Sequence, residues 1–559
     1  MRGGLSVLSD WPNMTVLAIK GWAKMRILAV ASAALAMLGQ ASALPDGVAP
    51  RHDGEGQYDR LVIRGATLID GSGAPPVGPV DIVVENDRIE QITMVGVPGL
   101  PIPDEGRPAP GTREIDATGK YVLPGFVNLH GHIHSYGTGQ DVPPDYIFKL
   151  WLMHGITTVR EVGNDKGAKL TSELMAASAR NEIDAPRIFS FPFFGSCGSG
   201  KVDTPDEARA EIKACKKYGA SGVKFFGGPE EVIWAAFDEA KKQNLKTTMH
   251  HAQLAVAHAD VLDTSAHGLS SMEHWYGLPE ALFDDKVLQD YPADYNYANE
   301  QDRFAEAGRL WAQAAGPGSE RWTYVRDTLL DRDFSIVPTF TIYLSSRDWM
   351  RARRAEWHDE FTMPSLWKYF GPDRNAHGSY WFDWGTEEEI AWRDNYRRWM
   401  AFINEYKNKG GKIGVGEDAG YIYSTYGFGF VQELELLREA GFHPLEVIRS
   451  ATLTGAQILG AADEIGSVQV GKKADLVIIG ENPVANLKVL FASGHIKLDP
   501  ATNKPIRVGG VDIVIKDGVV YDAKALAAEV REMVAAEKQK AGIAPGPMPV
   551  VDYNYSREE

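Results

Sequence analysis

Cysteine is nearly absent from this chain. Only Cys197 and Cys215 occur in 559 residues. Two cysteines make no disulfide framework, and a core of this size needs none. A single bridge between them is left open. Positive charge is also short: 58 Lys and Arg face 75 Asp and Glu, a formal charge of −17. That balance argues against nucleic acid or an anionic membrane surface as the partner. Downstream of the N-terminal region, no uncharged apolar run reaches the ~18 residues of a membrane span. What remains is 44% hydrophobic and 24% charged, an ordinary globular profile. The length suits one large domain and a smaller one.

The first 43 residues read as a secretory signal. Lys24, Met25 and Arg26 precede the apolar run Ile27 to Ala31; small and apolar residues continue to Gly39, and Ala41-Ser42-Ala43 supplies a small-x-small cleavage site. Met25 opens this pattern and is a candidate start. An uncleaved anchor is the alternative. The expectation is an exported mature protein from about Leu44, periplasmic in a Gram-negative host, with no membrane attachment after cleavage. Residues 44–57, rich in Pro, Gly and polar side chains, read as a linker.

From Tyr58 the alternation and turn residues of LVIRGATLID, VDIVVENDRIEQI and REIDATGKYVLPG indicate strands. Gly466–Gly480 and Val508–Asp522 have the same character. A small β-sandwich built from residues 58–120 and 466–525 is expected, enclosing a long central part. Residues 121–465 alternate strand and helix. Candidate strands are Val122–Leu129, Ile156–Val162, Arg187–Phe193, Gly222–Phe226, Lys246–His251, Leu269–His274, Phe334–Thr341 and Lys412–Gly416. Thr204–Gly219 is an amphipathic helix with Thr204 as N-cap. Eight such units predict an α/β fold, a (β/α)8 TIM-like barrel. Residues 279–330 and 345–405 are too long for simple connections. Their tryptophans suit either a cover over the barrel mouth or a packing surface. Residues 526–559 read as a C-terminal helix and tail.

The segment LPGFVNLHGHIH, Leu123 to His134, delivers His130 and His132 at i and i+2 to one face of a strand end. Two neutral imidazoles aimed at one point begin a metal site. Other strand ends answer. Lys224 stands among apolar residues in GVKFF, where an ammonium is costly to bury. His250 and His251 end the fifth strand, His274 ends the sixth, and Glu417-Asp418 ends the eighth. Barrel enzymes build their sites at such ends.

These segments, with the closing ATLTGAQILGAADEIGSVQVGKKADLVII, resemble the metal-dependent amidohydrolase superfamily over about residues 58–525. The resemblance implies a binuclear site of two divalent ions, usually zinc. His130, His132 and Asp418 would hold one ion. His251 and His274 would hold the second, His251 being preferred because it precedes Ala252. Lys224, carboxylated by CO2, would bridge them. Asp418 would be the catalytic acid and base, and a bridging hydroxide would attack an amide carbonyl. His250 reads as a packed histidine. His134, Arg160 and Tyr343 are candidate substrate contacts, with an Arg160–Glu161 ion pair as the alternative for Arg160. Two positions depart from the family pattern: Asn128 replaces an aspartate, and Glu417 replaces a threonine. By alternation Glu417 should point away from the metals.

Within the superfamily the chain looks most like prolidase-like and imidazolonepropionase-related enzymes. That implies a small-molecule partner, a dipeptide or N-acyl amino acid cleaved at its C–N bond. A cyclic amidohydrolase or deaminase acting on a heterocycle is the alternative. A non-catalytic binder on the same scaffold and a homo-oligomer also stay open.

Overall fold

The computed structural model describes residues 44–198, 200–372, 377 and 380–547. The secretory signal and the candidate start at Met25 lie outside the described residues. Among the described residues, no helix is long and apolar enough to cross a membrane.

Two parallel sheets position the site. The first holds β1 (Phe126–Gly131), β2 (Ile156–Glu161) and β3 (Arg187–Ser190). The second holds β4 (Gly222–Phe225), β5 (Lys246–Met249), β6 (Ser271–Glu273), β7 (Ser335–Val337) and β8 (Lys412–Ile413). Backbone hydrogen bonds cross both seams. Ser221 N donates to Ser190 O (2.8 Å) and Phe194 N to Lys224 O (2.8 Å) on one side; Leu129 N donates to Val415 O (2.8 Å) and Asp418 N to His130 O (2.9 Å) on the other. Most strand residues are buried, as parallel strands covered on both faces should be. The observed strands match the eight expected ones; β1 runs two residues further, to Gly131, and the other seven stop short at their C-terminal ends. There the backbone leaves the ladder and carries the functional side chains. His274 and Asp418 both sit at positive φ (57° and 47°), an uncommon conformation for side-chain-bearing residues.

The strands from the two ends of the chain meet in one mixed sheet. Leu61–Leu68, Val77–Glu85, Arg88–Met94, Arg113–Asp116 and Tyr121–Pro124 join Leu476–Ile479, Ile513–Lys516 and Val519–Asp522. Val122 pairs with Ile478 and Leu123 with Val477, antiparallel. Leu61, Ile63, Ile82, Leu476, Ile478 and Ile515 share its core. The hydrogen bonding runs as a single eight-stranded sheet, where the sequence suggested a sandwich of two. The expected strand Val122–Leu129 is divided between the two regions at Gly125. A Cβ there would lie 2.1 Å from Thr157 Oγ1, so only glycine lets the chain cross at this point.

The helix Pro205–Lys217 starts at a reciprocal cap: Thr204 Oγ1 accepts from Glu207 N (3.3 Å), and Glu207 Oε2 accepts from Thr204 N (3.0 Å). Cys215 of this helix is disulfide-bonded to Cys197 of the loop after β3. The two insertions have mixed duties. Trp392 and Trp399 of the helix Thr386–Asn408 are buried against Trp275 and Phe340. Tyr297, Arg303, Phe304 and His377 instead line the cavity at the strand ends. The C-terminal helix Ala523–Lys540 is tied to the helix Pro144–Met153 through Glu529, which accepts from Lys149 Nζ (2.7 Å).

Candidate metal centre

A cavity of about 460 Å³ opens at the C-terminal ends of the parallel strands, and His130, His132, Lys224, His250, His274 and Asp418 line it. Three imidazoles share one arrangement. His130 Nδ1 donates to Glu273 Oε2 (2.6 Å), and its Nε2 lies 3.4 Å from Asp418 Oδ1. His132 Nδ1 donates to the Gly163 carbonyl (2.7 Å), and its Nε2 lies 3.3 Å from the same oxygen. His274 Nδ1 meets Thr339 Oγ1 (2.6 Å), whose own proton goes to Pro338 O (2.7 Å); its Nε2 lies 3.6 Å from Asp418 Oδ2. Each Nδ1 is spent on the protein, so each Nε2 is turned inward. Donor atoms of His130, His274 and Asp418 lie within 4.8 Å of one another, enough to hold an ion.

Burial drives the proton affinities of His130, His250 and His274 well below the ordinary histidine value. These three neutral rings offer lone pairs; burial acts the same way on His132, but the Asp418 carboxylate outweighs it and raises that ring. Burial pushes the Asp418 carboxyl up, but His130, His132 and Lys224 outweigh it and hold it well below the usual carboxylate range. Lys224 is 2% exposed, and burial brings its amine down to about 8. Its Nζ has no hydrogen-bond or ion-pair partner among the described residues; the Phe226 ring lies 5.8 Å away.

The fifth strand requires a correction. His250, not His251, reaches the cavity, with its ring 4.6 Å from that of His274. Thr248 pairs in register with Lys224 and donates inward to Glu273, so two residues on His250 shares that face. His251 points the opposite way. It is fully buried, and its Nε2 sits 3.0 Å from Thr264 Oγ1 of the helix Val261–Ala266.

Of the candidate substrate contacts, Tyr343 lines the cavity and stacks on Trp392 (5.3 Å). Arg160 does not line it. Its Nε donates to Leu129 O (2.5 Å), Nη1 to Ser271 Oγ (3.2 Å) and Nη2 to Glu273 Oε1 (2.5 Å), so every nitrogen is committed beneath the site. The ion pair is with Glu273 rather than Glu161. Glu161 accepts from Thr171 Oγ1 (3.2 Å), and burial holds it up at about 7. His134 is buried between Tyr426 and Tyr421, its Nε2 3.1 Å from the Tyr421 hydroxyl. Tyr421 lines the cavity in its place.

The two departures from the family pattern form a pair. Asn128 Nδ2 donates to Glu417 Oε1 (3.0 Å), and Glu417 Oε2 accepts from Gly427 N (2.7 Å) and Phe430 N (3.0 Å) at the start of the helix Phe428–Glu439. Trp151 Nε1 also donates to Glu417. Glu417 thus turns away from the cavity, as alternation required. An aspartate at 128 would set two carboxylates together; the amide supplies a donor instead.

Residues 397–520 match the family model described as the amidohydrolase family. A 5'-deoxyadenosine deaminase of Methanobrevibacter smithii is 29% identical over 133 residues, 20% of this chain and 30% of that protein. A dihydroorotase of Geobacter metallireducens is 28% identical over 248 residues, 42% of this chain and 52% of that protein. The chain therefore spans about half or less of these relatives' length. A solved Xaa-Pro dipeptidase with bound methionine in its active site superposes at a TM-score of 0.54, with 20% identity, over 83% of this chain and all of that one. Over residues 397–520 the chain is thus similar to the amidohydrolase family, and its fold is shared with the solved dipeptidase.

Proposed function

We propose that the protein is an exported metal-dependent hydrolase that cleaves the amide bond of a dipeptide or an N-acyl amino acid. The observation that carries this reading is the convergence of three imidazole Nε2 atoms on Asp418 beside a buried lysine whose amine has no hydrogen-bond or ion-pair partner among the described residues. We read the eight parallel strands as one closed (β/α)8 barrel over residues 121–465, with the composite sheet of residues 58–120 and 466–525 as its small β domain.

The donor set fits two divalent ions. It offers neutral nitrogens, one strongly ionised carboxylate and an amine that burial makes easier to deprotonate. His130, His132 and Asp418 would hold one ion, His250 and His274 the other, with Lys224 between them as its CO2-derived carbamate. Such ions, zinc in the usual case, supply Lewis acidity to the scissile carbonyl and acidify water. The remaining work falls to the chain. Asp418 stays ionised, accepts a proton from the attacking water and returns it to the leaving nitrogen. Glu273, fixed by Arg160 and Thr248, holds His130 in one tautomer. The aromatic cover of Tyr297, Phe304 and Tyr343 limits water around the bond.

The Cys197–Cys215 bridge supports export to an oxidising compartment. The N-acyl-D-aspartate deacylase of Alcaligenes xylosoxydans xylosoxydans, 30% identical over 156 residues, supports an acyl-amino-acid substrate. The dihydroorotase and deaminase relatives favour the second reading, hydrolysis of a heterocycle. A panel of dipeptides, N-acyl amino acids, cyclic amides and aminopurines, assayed with the zinc-loaded protein, separates the two. Release of free amino acids is expected. Ring opening or ammonia release with no amino acid formed would overturn the first reading.

A further inference from the structure

Arg303 is the guanidinium that lines the cavity among the described residues, and no motif in the sequence marks it. It belongs to the helix Glu300–Ala307 of the first insertion. Its Nε donates to Gln253 Oε1 (2.7 Å) and its Nη1 to Glu300 Oε1 (3.1 Å). Its central carbon lies 4.7 Å from the Tyr297 ring centre and 4.9 Å from that of Phe304. These contacts fix the plane of the group. They leave Nη2 without a protein partner among the described residues. Glu300 is itself shared: its Oε2 lies 2.9 Å from His377 Nδ1 of the second insertion. The two insertions therefore meet in a chain from His377 through Glu300 to Arg303, at the rim of the metal cavity.

A guanidinium held at Nε and Nη1, with Nη2 free among the described residues, offers a fixed, charged donor to an anion. Lys224, the other cationic side chain lining the cavity, is assigned to the ions. The rest of the wall is largely aromatic and aliphatic, with Phe193, Phe226, Ile342 and Ile422. A ligand that satisfies both carries one carboxylate and an apolar side chain. We propose that Arg303 is the specificity residue of this site, binding the free α-carboxylate of an apolar residue whose acylated nitrogen is the leaving group. The proposal rests on the amide-hydrolase reading above and narrows it to substrates ending in an unblocked carboxylate. The Glu300–His377 contact positions the arginine, so the two insertions set specificity together.

The test compares paired substrates on the zinc-loaded full chain: N-acetyl-phenylalanine against its carboxamide, and Gly-Phe against Gly-Phe-amide. Wild type should favour the free acid by about 100-fold in kcat/KM, chiefly through KM, the scale of a charge-assisted hydrogen bond. Arg303→Met should bring that ratio within about threefold of unity, while Arg303→Lys keeps part of it. Calorimetry of phenylalanine against phenylalaninamide gives the same comparison without turnover, and wild type alone suffices should the variant not fold. Equal cleavage of acid and amide by wild type, or an unchanged ratio in Arg303→Met, overturns the assignment while leaving the hydrolase reading intact. Cleavage of neither member of any pair overturns both.

Discussion

Arg187 and Lys516, beneath the composite sheet, are enclosed in direct contact with their counter-charges; Lys224, in the cavity, makes no ion pair or hydrogen bond through its amine among the described residues. Arg187 Nη1 donates to Asp475 Oδ2 (2.5 Å), and its Nη2 to Asp517. Lys516 Nζ donates to Ser178 O (2.7 Å) and Asn181 Oδ1 (2.7 Å) and pairs with Asp517 Oδ2 (3.0 Å). Asp517 N closes the cluster on Asp475 Oδ1 (2.9 Å). In the cavity, by contrast, three imidazole Nε2 atoms and one amine face a single carboxylate. The first cluster is complete in the protein alone. The second is complete only with a guest that brings positive charge to the lone pairs. Buried polar groups without partners are costly, so the fold tolerates this one for function.

The largest effect that sharpens the contrast is on activity. Asp418→Asn should lower kcat by about 10³-fold or more while leaving the thermal stability of the metal-free protein nearly unchanged, since on the proposed mechanism it removes a general base and a ligand. Steady-state kinetics with the best panel substrate, beside a melting curve, checks both halves. Next, Arg187→Ala should destabilise the metal-free protein by about 3–5 kcal/mol, because it strands the buried Asp475 carboxylate and takes one of the cations from Asp517. Urea unfolding should show that loss. Lys224→Met should cost less than about 1 kcal/mol in the same assay, since no partner is stranded.

A smaller effect separates the neighbouring histidines. His250→Ala should reduce bound metal from two ions per chain to about one by elemental analysis. His251→Ala should keep the stoichiometry and cost about 1–3 kcal/mol in stability, through the space it leaves and the lost Thr264 contact. The smallest effect is on acid sensitivity. Burial raises the Asp517 carboxyl, but Arg187 and Lys516 outweigh it and hold it below the usual range. A depressed folded pKa gives stability that is complete above the unfolded value and disappears as the pH falls below about 4. Unfolding free energies at pH 6 and pH 3 should differ by on the order of 1–2 kcal/mol more in wild type than in Asp517→Asn.

The same contrast explains what the sequence made legible. The eight parallel strands were readable because each is a short buried run bounded by turn residues, and the composite sheet because its strands alternate. Glu417 does turn away from the cavity, as its position next to Asp418 suggested, but past the end of β8 at Ile413 it is held there by Asn128, Gly427 and Phe430. Alternation needs an anchor. At the fifth strand two histidines stood side by side, and the anchor, the pairing of Thr248 with Lys224, is a tertiary fact. Arg160 looked available because its acceptors, Leu129 O and Glu273, come from other strands. Arg303 and Tyr421 come from an insertion and a loop whose paths no periodicity encodes. His134 lay beyond the end of β1 at Gly131, where strand alternation no longer governs direction.

Metal titration of the chelated protein, followed by melting temperature and by elemental analysis, tests the central claim most directly. Wild type should take up two zinc ions per chain and gain several degrees, equivalent to about 3–4 kcal/mol at an ion concentration several hundred times the dissociation constant. Lys224→Met should lose most of that gain and at least one ion. Identical stoichiometry and an identical rise in both proteins would contradict the claim that the cavity is a binuclear site built around Lys224.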